Sequence, residues 1–416
     1  MPSLTYSPTR IAAAICRFAL RLLFGLVAGL LIAACTSLPI IETTNPLLDT
    51  PTLAPTLDDF WAGKAEFVVD VWDTGLPMGE SDTVLLPDGT LRSYIHASYA
   101  SAGVLDSCGD PVEFPGCLVI LTSDDGGERF QWPTLEDQPP RCAIPCARCP
   151  CDSARDQIDQ QQYPRIAQLG NTSAPAWSPA WWIVYEYRAN SILRHSPDGL
   201  TWSAPIEAPL TGIWQDWLMP CPPAAAIGDH PFAPNAYDCL VGSPPGLYID
   251  HRVTPPELYL FVGLGQNPSS MGCLRGPAQG DPTLLRPCTH NPLFTGARTY
   301  GPHAERGAAA NAYFDFRTIS SADLLTVGSR TYLFYEGVRG PGPGDAGDTQ
   351  FLLGLARTTT SALDGPWELY PGNPILLDLP GNVGVGHADV IELAGITYLY
   401  TTLDGIWRSR LQLVWR

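Results

Sequence analysis

From about residue 60 onward, short apolar runs alternate with clusters of Gly, Pro, Asp and Ser. The runs include Glu66-Phe-Val-Val-Asp-Val-Trp72, Trp181-Trp-Ile-Val-Tyr185, Glu257-Leu-Tyr-Leu-Phe-Val262, Tyr332-Leu-Phe-Tyr335 and Ile396-Thr-Tyr-Leu-Tyr400. Runs of this length, rich in β-branched and aromatic residues and bounded by turn formers, predict strands. The 39 Gly and 42 Pro leave little room for long helices. The pattern predicts an all-β body.

The runs also repeat. Five segments share one grammar: a small or acidic residue, an apolar strand, a turn, then a strand rich in Tyr, Leu and Phe. They align on Asp82, Pro175, Pro244, Asp323 and Asp389, spaced 66 to 93 residues apart. Unequal spacing suits a propeller with variable insertions better than a strict solenoid. The last segment supplies three strands, at about 385–393, 396–402 and 406–415, where a blade usually has four. The run Glu66 to Trp72 has no partner of its own, so it is expected to complete that blade and close the ring. The expectation is a five-bladed β-propeller over residues 59–416.

Ser123-Asp-Asp-Gly-Gly-Glu-Arg-Phe130 and Ser196-Pro-Asp-Gly-Leu-Thr-Trp202 resemble the Asp-box turn of sialidase-like propellers. Leu363-Asp-Gly-Pro-Trp367 and Asp404-Gly-Ile-Trp407 look like decayed copies. In such a turn Asp accepts backbone N–H bonds, Gly takes positive φ, and the aromatic packs beneath. The box is a structural device.

At the N-terminus, Arg10, Arg17 and Arg21 precede an apolar run from Leu22 to Ala34. A basic start, a short apolar core and small residues make an export signal. Leu31-Ile-Ala-Ala-Cys35 resembles a bacterial lipobox, which implies cleavage before Cys35 and diacylation of its thiol. Residues 1–34 are then a signal peptide, and 35–58 a lipidated Cys and extended tether. The expected location is the membrane or surface of a bacterium, reached by export and held by lipid. Loss of those three arginines deepens the net charge from −18 to −21. With Lys64 as the only lysine, nucleic-acid binding is excluded as a function class.

Ten cysteines remain after Cys16 and Cys35 are set aside. An even number in an exported chain predicts disulfides. Local spacing pairs Cys108 with Cys117, Cys221 with Cys239, and Cys273 with Cys288. Cys142, Cys146, Cys149 and Cys151 crowd into an insertion near 136–165. Two bridges within that knot, or a four-thiolate zinc site, satisfy them.

Tyr332-Leu-Phe-Tyr-Glu-Gly337, Gly354-Leu-Ala-Arg357, Gly372-Asn-Pro-Ile-Leu376 and Gly386-His-Ala-Asp389 resemble the five-bladed propeller glycosidases. These are families 43, 32 and 130 of the glycoside hydrolases and their arabinanase-like relatives. The resemblance implies paired carboxylates around a central funnel. It makes Asp82 the general base, although Asp82-Thr83 departs from the usual Asp-Pro. Glu336 becomes the acid, and Asp323 a residue that orients substrate or tunes a pKa. The third segment reads Gly242-Ser-Pro244 where relatives carry an acid.

Asp315, Arg317, His387 and Asp389 are the candidate substrate-binding residues. By alternation Asp315 and Arg317 share a face. His387 sits where such propellers hold an axial histidine, sometimes beside calcium. No cofactor is required, and calcium near the axis is the one ion the resemblance admits. Trp177, Trp181, Trp182, Trp214 and Trp217 could stack on sugars or fill blade interfaces. Glu186 mirrors Glu336 in the repeat. The expected function is hydrolysis of glycosidic bonds by a monomeric, surface-anchored lipoprotein. The alternatives are a non-catalytic propeller that binds glycan or a partner, and a structural envelope lipoprotein.

Overall fold

The structure is a computed structural model. It describes residues 53–77, 79–97, 117–132, 142–144, 161–170, 180–187, 190–207, 245–264, 270–296, 314–315, 318–338, 351–376, 386–403 and 407–416. The expected signal peptide and Cys35 lie outside them, as do Cys108, Cys146, Cys149, Cys151, Cys221, Cys239, Arg317, Trp177, Trp214 and Trp217. The region Ala54–Arg416 forms one compact unit.

Strand β1 spans Ala65–Val71. The first blade is β2 (Ser81–Leu85), β3 (Leu91–Ala97) and β4 (Cys117–Ser123). The second is β5 (Gln162–Gln168), β6 (Trp181–Tyr187), β7 (Asn190–Ser196) and β8 (Ile206–Glu207). The third is β9 (Gly246–Asp250), β10 (Glu257–Leu264), β11 (Ser270–Pro277) and β12 (Arg286–Pro287), with β13 (Phe294–Thr295) also on β11. The fourth is β14 (Thr318–Val327), β15 (Arg330–Val338), β16 (Phe351–Thr358) and β17 (Trp367–Leu369). The fifth is β18 (Gly386–Leu393), β19 (Ile396–Thr402) and β20 (Ser409–Trp415). There β1 pairs antiparallel with β20, Ala65 opposite Trp415. The N-terminal strand therefore closes the last blade as expected. The inner strands touch in a ring: β2 meets β5, then β9, β14, β18 and β2 again.

Alternation explains the ring's cohesion. On β6, Trp181, Ile183 and Tyr185 pack toward the first blade, while Trp182 and Val184 pack toward the third. On β10, Leu258, Leu260 and Val262 face the second blade, and Tyr259 and Phe261 face the fourth. On β15, Leu333 and Tyr335 face the third blade, and Tyr332 and Phe334 the fifth. A strand between two neighbours buries both faces, so each blade seam becomes a hydrophobic core. Trp181 and Trp182 belong to these seams.

One helix, α1 (Leu57–Trp61), opens the unit. Thr56 accepts the Asp59 N–H, and the Asp59 carboxylate accepts the Thr56 N–H, a capping box. Leu57 and Phe60 are buried between the fourth and fifth blades.

Two expectations need correction. The second unit does not open at Pro175: its inner strand is β5, and Trp181–Tyr187 is the second strand. The tryptophan-rich run drew the alignment one strand too far along. Cys117 bonds Cys142, not Cys108, with Cα atoms 5.7 Å apart. The Ala143 N–H donates to the Leu118 carbonyl, laying the insertion along β4 and bringing Cys142 to Cys117. Two bridges confined to the 142–151 knot are thereby ruled out. Cys273–Cys288 forms as expected.

The two box turns form. Asp125 accepts the Glu128 and Arg129 amides, and Asp198 accepts those of Leu200 and Thr201. Gly126 and Gly199 take positive φ. Phe130 packs on Tyr400, and Trp202 on Tyr94. Asp364 differs: its carboxylate accepts the His290 N–H of the third blade's outer loop.

Candidate active site at the propeller axis

Three inner strands carry the same irregularity. Register shifts fall between Gln162 and Arg165, Ser320 and Asp323, and Gly386 and Asp389. Two residues before each axial side chain the backbone is left-handed: Tyr163 (φ 52°), Ser321 (φ 53°) and His387 (φ 23°). Each such residue costs on the order of 1–3 kcal/mol. A bulge re-aims the side chains on either side of it. Here the result is two tiers around the axis.

The lower tier is Asp82, Asp323, Asp389 and Arg165, all buried. Carboxylate oxygens of the three aspartates lie within 4.8 Å of one another. Each also takes a backbone amide from the next blade around the ring. Asp323 Oδ2 accepts the Val390 N–H, and Asp82 Oδ2 accepts the Ile166 N–H. Asp389 Oδ1 accepts the Thr83 N–H at 3.0 Å, and its Oδ2 accepts the Ser81 and Thr83 hydroxyls at 2.6 and 2.8 Å. Arg165 donates to the carbonyls of Ser81, Ala322 and Ser321.

Burial, and then Asp323, pushes the Asp82 carboxyl well above its ordinary range, against the pull of Arg165. Burial raises Asp323 to about 6, with Arg165 opposing and Asp389 adding. Burial and the neighbouring carboxylates raise both Asp82 and Asp323 against the pull of one guanidinium. Asp82, expected as a base, thus sits where burial opposes its ionised form and one oxygen is engaged by the Ile166 N–H.

The same trio is where calcium would bind. Calcium takes six to eight oxygen ligands. Here each carboxylate has an oxygen turned to a backbone N–H, and Arg165 supplies positive charge. This donor set does not fit a calcium cage.

The upper tier is Glu80, His96, His387, Glu336, Ser321 and Tyr163. His387 Nε2 lies 2.7 Å from Glu80 Oε1, and His96 Nδ1 lies 2.7 Å from Glu80 Oε2. His387 Nδ1 lies 2.9 Å from Ser321 Oγ and 3.3 Å from Glu336 Oε2. The Tyr163 ring stands edge-on to His387 at 4.5 Å. Arg408, fully buried, donates to the carbonyls of His387, Tyr400 and Gly79 and braces the floor.

The two glutamates are pushed in opposite directions. Burial drives the Glu336 carboxyl up to about 7, with His387 pulling down and Glu80 pushing up. Glu80 is also buried, but the two histidines overcome its desolvation and hold it well below the usual range. Glu336 Oε1 is buried and has no hydrogen-bond partner among the described residues. Paired groups with separated pKa values are the mark of an acid–base site.

Of the expected site residues, Asp82, Asp323, Glu336, His387 and Asp389 meet at the axis. Asp315 does not: it is buried beneath the fourth blade, where the Tyr335 hydroxyl donates to it at 2.9 Å. Glu186 and Glu336 occupy matching register positions, opposite Gln162 and Ser320 just before the bulges. Sequence reasoning missed Glu80, His96, Ser321, Tyr163, Arg165 and Arg408. Arg165 lay hidden at the edge of the Cys-rich insertion. Glu80 sits one residue ahead of the predicted strand.

No family model and no curated protein sequence matches the chain. Solved structures do. The catalytic domain of the Coprinopsis cinerea GH62 alpha-L-arabinofuranosidase aligns over 85% of this chain and 96% of its own, at 11% identity and TM-score 0.46. The endo-arabinase of Bacteroides thetaiotaomicron aligns over 84% and 98%, at 10% identity and TM-score 0.44. A thermostable family-43 glycoside hydrolase aligns over 82% and 92%, at 13% identity and TM-score 0.46.

Proposed function

We propose that this protein is a carbohydrate-active propeller that cleaves glycosidic bonds, with Glu336 as the proton donor. The single observation that carries this reading is the Glu336 carboxyl. It is buried at the axis, raised to about 7, and has one oxygen without a partner among the described residues. A group of that kind keeps its proton in about half of the molecules at neutral pH and can give it to a departing glycosidic oxygen. Glu80, held ionised by His387 and His96, fixes the imidazole beside Glu336 and opposes ionisation of the Glu336 carboxyl. In this reading Asp82, Asp323 and Asp389 keep the inner strands in place beneath the reacting groups.

A second reading, a glycan-binding propeller without catalysis, is favoured by one observation. The expected base Asp82 shares its surroundings with two other carboxyls and has one oxygen on a neighbouring amide. Turnover of an aryl-glycoside panel by wild type and by Glu336→Gln separates the two. Turnover that falls at least a hundredfold in the variant supports the acid. Glycan binding without turnover in wild type supports the binding module.

Lipid anchoring through Cys35 is part of the same proposal. Helix α1 packs on Leu325, Val327 and Tyr332, near the β14–β15 turn. Asp59 N-terminal capping and the Tyr332 hydroxyl bond to Asp58 fix it there. That end of the strands is opposite the end that carries Glu336. Globomycin-sensitive processing and palmitate labelling lost in Cys35→Ala test the anchor.

A further inference from the structure

In the upper tier Ser321 joins the His387 and Glu80 pair in a second arrangement, one that does not involve the Glu336 proton. His387 Nε2 faces Glu80 Oε1 at 2.7 Å, and His387 Nδ1 faces Ser321 Oγ at 2.9 Å. One neutral tautomer satisfies both contacts. Nε2–H donates to the Glu80 carboxylate, and the Nδ1 lone pair accepts the Ser321 hydroxyl proton. The other tautomer would turn a lone pair toward an anion. The second oxygen of Glu80 is held by His96, so the carboxylate cannot rotate away. Glu336 Oε2, at 3.3 Å from Nδ1, is the more distant neighbour of that nitrogen. Arg165 Nη2 lies 3.0 Å from Ser321 Oγ and favours negative charge on that oxygen. Ser321 occupies a left-handed bulge position, which turns its hydroxyl toward the axis.

We propose that Ser321, His387 and Glu80 form a nucleophile–base–carboxylate relay that hydrolyses small carboxylic esters. Such a constellation is identified by geometry and roles, whatever the chain order. Here the order is Glu80, Ser321, His387. Ser321 Oγ attacks the ester carbonyl carbon while its proton passes to His387 Nδ1. Glu80 stabilises the imidazolium. The bond from that carbon to the alcohol oxygen then breaks, and Nδ1–H protonates the departing alcohol. Water attacks the acyl-serine, giving one proton to Nδ1. As the Ser321 ester bond breaks, that proton returns to Oγ and the carboxylic acid leaves. This inference goes beyond the glycosidic reading and stands without it, since it requires neither Glu336 nor a glycosidic bond.

The test treats the full chain with a fluorophosphonate probe, maps adducts by mass spectrometry, and follows p-nitrophenyl acetate hydrolysis. The expected result is one adduct on the Ser321 peptide and none in Ser321→Ala. Glu80→Gln should label and turn over more slowly by up to ~10⁴-fold, as when the carboxylate of such a relay is neutralised. Should Glu80→Gln fail to fold, Ser321→Cys carries the test. A thiol activated by His387 reacts with iodoacetamide at neutral pH at least tenfold faster than free cysteine. The proposal is overturned if folded wild type takes no adduct at Ser321, or if Ser321→Ala hydrolyses the ester at the wild-type rate. It is also overturned if the Ser321→Cys thiol reacts no faster than free cysteine. Loss of aryl-glycoside turnover alone leaves these outcomes unchanged, so the two readings fail separately.

Discussion

Asp389 accepts the backbone amide of Thr83 at 3.0 Å, across 306 residues of chain. This bond closes the ring at its axis, where the last blade meets the first. At the rim of the last blade, β1 on β20 ties the chain's two ends together. The same relation recurs from Asp323 to Val390 and from Asp82 to Ile166. An inner-strand aspartate reaches for the amide that follows the matching axial residue of the next blade.

Asp389→Ala should therefore destabilise the propeller more than a surface Asp→Ala change. The Thr83 N–H and the Ser81 and Thr83 hydroxyls lose their acceptor in a buried place. Buried polar groups left unpaired cost on the order of 1–3 kcal/mol each, so a loss of about 3–5 kcal/mol is expected after partial repair by water. Urea denaturation measures it. A loss below about 1 kcal/mol would show that the seam does not depend on this carboxylate.

The pH dependence of stability should carry the signature of Glu336. Its folded pKa, about 7, lies above the unfolded value. The folded state then holds a proton that the unfolded state has released. The contribution is full below the unfolded value and is lost as pH rises toward 7. Glu336→Gln has no proton to lose. Its stability relative to wild type should rise between about pH 4.5 and 7. Thermal melts at stepped pH check the sign. Any glycosidase activity should fall on the alkaline side of about 7, because the donor must be protonated.

Glu80 predicts the opposite slope. Its folded pKa is depressed by His387 and His96 despite burial. That stability is present above the unfolded carboxyl value and is lost as pH falls through the folded one. Glu80→Gln should cost about 2–5 kcal/mol at neutral pH, because two buried imidazoles lose a charged hydrogen-bond acceptor. The penalty should shrink in acid. A penalty that is flat from pH 7 to pH 3 would contradict the pairing.

Non-reducing peptide mapping should recover a Cys117–Cys142 linkage and a Cys273–Cys288 linkage. The first closes a 25-residue separation, which corresponds to about 3 kcal/mol in the loop-entropy view. Cys117→Ser and Cys142→Ser should lower the melting temperature equally, and the double variant no further. Recovery of a Cys108–Cys117 peptide would overturn this pairing.

The repeat was legible because each blade must bury two faces, which forces continuous apolar strands such as Trp181–Tyr187 and Tyr332–Tyr335. The closing role of Glu66–Trp72 was legible as well, since a strand without a local partner must find an edge. Glu336 and His387 stood out because they flank inner strands in a repeated grammar. Glu80, Arg165 and Ser321 did not. A glutamate before a strand, an arginine beside a Cys-rich insertion and a serine in Ser-Ser-Ala look ordinary until the ring of blades brings them to one axis.

The sequence by itself determined the strand succession, the five units and the acids at strand starts, because alternation and turn chemistry are local. The tertiary structure alone decided which acids meet, which carry protons and which partner each cysteine takes. Those depend on residues hundreds of positions apart sharing one buried axis. There the charge of Glu80, the imidazole of His387 and the desolvation of Glu336 set one another's state, and no local window contains all three.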